Sequence, residues 1–94
     1  MKIDLNFDLL GLDGVAILDE KKQTVNAGKA IANHLVQQSK GDALKFWDWA
    51  VALNKGEILD LDTSDQGTFK TFIKDNEYLP ILTKAQILHK LNKD

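Results

Sequence analysis

The sequence predicts an α+β fold in the order ββααβαα: a small antiparallel sheet of about three strands with four helices packed on it. Three observations carry this prediction. The N-terminal residues alternate between apolar and polar with period two, the mark of a half-buried strand. Four later stretches space their apolar residues three and four apart, and each opens on a capping residue or a proline. The chain has 94 residues, of which 44% are hydrophobic and 28% charged. That suits one domain over 1–94 with a modest core.

Each element has its own signature. Ile3, Leu5, Phe7 and Leu9 fall on one face of the first strand, and Lys2, Asp4, Asn6 and Asp8 on the other. Asp13-Gly14 suits a tight hairpin, because both residues tolerate positive φ. Val15 to Leu18 reads as the returning strand, and Gly11 beside the turn fits a bulge. Asp19 to Gln23 is a charged loop. The first helix is expected from Asn26, its cap, to about Gln38, with Ala27, Ile31 and Leu35 buried. Ser39-Lys40-Gly41 breaks the chain. Asp42 caps a second helix that runs to about Asn54, with Gly56 just past its end, where left-handed backbone favours glycine. Ile58 to Leu61 reads as the third strand. Thr63 and Gln66 form a capping box for a helix carrying Phe69, Phe72 and Ile73, which Asn76 ends. Pro80 suits the first turn of a fourth helix with Ile81, Leu82, Ala85, Leu88 and Leu91 buried. Asn92 to Asp94 are expected to fray. No internal repeat or linker interrupts the chain.

The second helix stands apart. Ala43, Leu44, Phe46, Trp47, Trp49, Ala50, Val51 and Leu53 surround its axis, leaving only Lys45, Asp48 and Lys55 as a polar stripe. A helix apolar on nearly every side is buried on nearly every side, or lends one face to a partner. Trp47 and Trp49 point about 200° apart, so they cannot share a face. The expected core takes Ile3, Leu5, Phe7, Val15, Ile17, Ile31, Leu35, Leu44, Trp47, Val51, Leu61, Phe69, Phe72, Ile73, Leu82, Ala85 and Leu88. Trp49, Phe46 and Leu53 are the candidate partner-binding residues, tryptophan being enriched at binding hot spots.

Composition argues against several other functions. The net charge is −2 and all twelve basic residues are lysine. Without arginine there is no planar fork to read guanine or clamp phosphate. With no cysteine there are no disulfides, thiol nucleophiles or thiolate zinc sites. His34 and His89 lie on separate helices, too few for a metal site. Asp60, Asp62 and Asp65 fail the calcium-loop pattern, since Asp65 and Thr71 stand where glycine and glutamate are needed. As acids ahead of a helix they suit its positive end. Asn26-Ala27-Gly28-Lys29 lacks the other residues of a phosphate loop, Gln23 and Ala30 holding those places. Gly28 is better read as a close approach of two elements. Ser39 and Ser64 sit at helix boundaries, without a glycine-flanked elbow. No cofactor, metal or catalytic residue is expected. No signal peptide or membrane-length apolar run is present, and a cytoplasmic protein is expected.

Several segments resemble a group of small proteins encoded by bacteriophages and prophages. They are Leu12-Asp13-Gly14, Asn26-Ala27-Gly28-Lys29, Gly41-Asp42-Ala43-Leu44-Lys45 with Trp49-Ala50, Leu59-Asp60-Leu61-Asp62 and Lys84-Ala85-Gln86-Ile87-Leu88. The resemblance spans nearly the whole chain and implies a phage context in the host cytoplasm, with an assembly or host-interaction role. It carries no functional residue with it. The expected function is therefore non-enzymatic, through a protein partner or self-association. A nucleic-acid-binding regulator built on the third and fourth helices is the alternative. A small enzyme would need Asp60 and Asp62 brought together with His34 or His89.

Overall fold

The computed structural model describes residues 1–92 and has α+β character. Its elements are β1 (Lys2–Ile3), α1 (Ala27–Val36), α2 (Ala43–Asn54), β2 (Leu59–Asp60), α3 (Thr63–Asp75) and α4 (Ile81–Asn92). Residues 93–94, where fraying is expected, lie outside the described residues.

β1 and β2 pair antiparallel, Lys2 opposite Asp60 and Ile3 opposite Leu59. Backbone exchange continues to Met1 and Leu61, whose N–H donates to the Met1 carbonyl at 2.8 Å. The sheet thus has two strands where about three are expected, and the element order differs accordingly. The alternating N-terminal segment stops pairing with β2 after Ile3. Beyond it, residues 8–26 make three isolated bridges: Asp8 with Asn26, Leu10 with Ala16, and Leu18 with Thr24. Their hydrogen bonds close into a ring. Leu9 N–H donates to Val25, Val25 N–H to Ile17, and Ile17 N–H to Leu9, at 2.8, 3.2 and 2.9 Å. Three segments that are each antiparallel to the other two cannot share one plane. They splay around the ring, and each pair is limited to a single bridge. This is why Val15 to Leu18 forms no continuous strand.

The two turns joining these segments have the same geometry. Gly14 N–H donates to the Gly11 carbonyl and Gly11 N–H to that of Val15; Lys22 N–H donates to Asp19 and Asp19 N–H to Gln23. Each is a four-residue turn ending on a left-handed residue, Gly14 at φ 80° and Lys22 at φ 62°. That is the three-residue hairpin loop with a bulge. It replaces the two-residue turn expected at Asp13-Gly14: only Gly14 is left-handed, and the bulge falls there and not at Gly11. Carboxylates brace both loops. Asp13 accepts from Val15 N–H, and Asp19 from the N–H groups of Lys21 and Gln23.

The helices begin where their caps predict, with one shift. Asn26 accepts from Lys29 N–H and Asp42 from Lys45 N–H. α3 is capped one residue earlier than expected: the Asp62 side chain accepts from Asp65 N–H, and Thr63 is already helical. An aspartate directly ahead of the threonine offers the stronger charged acceptor. Gly56 is left-handed just after α2, as anticipated. Gly28 also has its expected reason. Its N–H donates to the Leu5 carbonyl at 2.9 Å. A Cβ there would lie 3.2 Å from the carbonyl oxygens of both Leu5 and Leu53.

One cluster of buried side chains joins every element, with Ile3, Leu5, Ile31, Leu35, Leu53, Leu61, Phe69, Ile73, Ile87 and Leu91 fully covered. Ring contacts tie α2 to α3: Trp49 against Phe69 at 5.6 Å and Phe46 against Phe72 at 5.7 Å. Most of the expected core is buried or half-buried, but three members are not. Val15 stands at the mouth of its turn, and Leu44 and Trp47 face outward from α2. On α4 the buried line is Thr83, Ile87 and Leu91, following Leu79, while Ile81 is exposed. That helix is apolar on several sides, and its packing against α3 selects one that spacing alone does not.

Candidate docking face

α2 presents two apolar stripes on opposite sides. Phe46, Trp49, Ala50 and Leu53, spaced three, one and three apart, are buried. Leu44, Trp47 and Val51 form the other stripe, at intervals of three and four. Trp49 is 6% exposed and Trp47 59%. The predicted partner-binding residues Trp49, Phe46 and Leu53 are therefore core, and the tryptophan placed in the core is the one at the surface. Both stripes are hydrophobic enough to be buried, so the amino acids alone do not rank them. The choice is made by α1 and α3: Ala50 lets α1 approach closely, and Trp49 fills the space beside Phe46 and Phe69.

Trp47 stands as a ridge between two hollows. One, of about 190 Å³, is bounded by Leu35, Val36, Gly41, Ala43 and Phe46. The other, of about 250 Å³, is bounded by Ala32, Val36, Ala50, Val51 and Asn54. Leu44 at 79% exposure and the half-exposed Val36 of α1 extend the patch. Lys40 borders the first hollow and Lys55 the second. A protruding indole flanked by apolar depressions is the anatomy of a binding anchor.

A second apolar groove, of about 580 Å³, runs between Leu10–Leu12 and the start of α4, lined by Ile81, Leu82 and Ala85. The Gln86 side chain fixes it by accepting from Leu10 N–H at 2.8 Å and donating to the Leu10 carbonyl at 2.7 Å. Leu12 at its rim is fully exposed. No sequence pattern marks this groove, because it depends on one amide reaching across 76 residues of chain.

The titratable groups are dispersed. His34 borders a polar hollow with Asp8, Asp19, Asn26 and Lys29. His89 borders a shallow one with Phe7, Asp8 and Lys90. Neither hollow includes Asp60 or Asp62. Asp62 caps α3, and Asp60 lies 3.8 Å from the Met1 nitrogen. Asp65 accepts from Lys45 Nζ at 2.7 Å, which with the adjacent negative charge raises the Lys45 pKa above its ordinary value. Among the described residues, no three histidine or acidic side chains converge as a metal site, and no helix is long and apolar enough to cross a membrane. No family model, curated protein or solved structure matches the chain.

Proposed function

We propose that the chain is a non-enzymatic accessory protein of phage or prophage type that works by docking on protein surfaces, as an assembly helper or a host-factor binder in the host cytoplasm. The observation that supports this reading is the outward stripe of α2. An indole more than half exposed between two hollows keeps a large apolar surface in water. Such surface is costly for solubility and is found where a partner covers it. The docking residues in this reading are Trp47, Leu44 and Val36, in place of Trp49, Phe46 and Leu53.

The test is association of the intact chain with proteins of a bacterial host extract and with itself, compared with Trp47→Lys. The substitution is expected to leave far-UV circular dichroism unchanged, to lower stability by only about 1 kcal/mol and to abolish association. Association that survives at full strength in Trp47→Lys and in Leu44→Lys overturns the reading.

A further inference from the structure

The charges bordering the α2 stripe identify what can cover it. Asp48 and Lys55 both lie along its edge, Lys55 also bordering the hollow shared with α1. They are two helical turns apart, so they point within about 20° of one another. Neither takes part in an ion pair among the described residues. One charge of each sign on the same edge of an apolar stripe is self-complementary. A two-fold axis perpendicular to the helix beside Val51 carries Asp48 of one copy onto Lys55 of the other, and the reverse. The same operation stacks Val51 on Val51. Leu44, Trp47 and Val51 already have the three-and-four spacing of a helix that packs on another helix.

Resting on the docking reading above, we infer that this face is the interface of a symmetric dimer of the chain, with the two copies of α2 antiparallel. The interface is isologous, each patch meeting itself. It offers fewer large side chains than the roughly 800 Å² per partner of a standard interface, so the dimer is a reversible one.

Sedimentation equilibrium of the full chain, from micromolar to millimolar concentration, tests the inference. The wild type is expected to show a reversible monomer–dimer equilibrium. Asp48→Lys or Lys55→Asp alone sets like charges opposite one another and raises Kd more than about tenfold. Combining them restores the pair and brings Kd back to within about threefold of wild type. In a chain with no other cysteine, Val51→Cys is expected to form a covalent dimer on oxidation, while Thr71→Cys, exposed on α3, does not. A wild type monomeric at millimolar concentration overturns the dimer, as does a double exchange no tighter than the single ones. The two readings fail separately. Extract binding that needs Trp47, by a chain that is monomeric alone, means a different protein occupies the stripe; no association of either kind removes the docking face as well.

Discussion

Replacing each tryptophan of α2 by alanine separates its two faces energetically. Trp49 keeps only 6% of its surface exposed. A tryptophan buries about 200 Å², which at about 25 cal/mol per Å² corresponds to about 5 kcal/mol. Its rings contact Phe46 and Phe69, both at 5.6 Å, and those contacts are lost as well. The alanine methyl and partial collapse of the site offset some of this, which leaves about 4 kcal/mol, within the range for tryptophan truncation in a core. A chain this long has a total stability of roughly 5–14 kcal/mol. Trp49→Ala should therefore lower Tm by about 15–30 °C or leave the chain partly unfolded. Trp47→Ala removes a side chain that is 59% exposed and should cost well under half as much, about 1 kcal/mol. Urea denaturation followed by far-UV circular dichroism, at protein concentrations below any self-association, measures both. A loss above about 2 kcal/mol in Trp47→Ala, or equal losses in the two variants, refutes the assignment of the faces.

The equivalent turns make a reciprocal prediction. Lys22 occupies the left-handed position that Gly14 fills in the preceding turn. Lys22→Gly should gain about 1 kcal/mol and Gly14→Lys lose about as much or more, read as shifts in urea midpoint. Among the helical glycines, Gly67 has no atom near a would-be Cβ, whereas Gly28 faces two backbone carbonyls. Gly67→Ala should stabilise by about 0.5–1 kcal/mol, and Gly28→Ala should destabilise despite the same gain in propensity; thermal melts distinguish them. The Lys45 pKa is raised by its hydrogen bond to Asp65, then by that carboxylate's charge, against a smaller opposing effect of desolvation. Its contribution to stability is full below the usual lysine value near 10.5 and is lost as pH rises through the higher folded value. Wild type should lose stability across that alkaline window, and Lys45→Met should lose less, as followed by urea midpoints at successive pH values.

The sequence was most legible where a single residue decides local structure. Asn26, Asp42 and Gly56 stand where helices begin and end because their side chains, or the lack of one, satisfy backbone groups within a turn. Gly28 was legible for a similar reason. Legibility fell where two answers were equally hydrophobic. Leu44, Trp47 and Val51 compete with Phe46, Trp49 and Leu53 for the core, and the outcome depends on which neighbours arrive. The candidate residues Phe46, Trp49 and Leu53 therefore fall on the buried side of α2, and Leu44 and Trp47, expected in the core, on the exposed side. One signal was available: Asp48 and Lys55 border the Leu44–Trp47–Val51 stripe, while no charged residue interrupts the Phe46–Trp49–Leu53 arc. The hairpin failed differently. Val15 to Leu18 has strand composition, but a third segment, Thr24 to Asn26, takes part in the pairing. The recurrence of Leu9, Ile17 and Val25 every eight residues lies in backbone geometry and barely in residue identity, so no repeat is visible in the text of the chain.

The three-way ring of Leu9, Ile17 and Val25 bears on how this chain meets other molecules. At the ring, each of the three residues uses both its amide and its carbonyl on a neighbour. Nearby, Gln86 occupies both backbone groups of Leu10. The amides of Ala16, Leu18 and Thr24 point away from the ring and have no partner among the described residues, so the main chain left to template an incoming strand, the usual route by which small β-rich segments recruit copies of themselves into fibrils, is confined to these few positions.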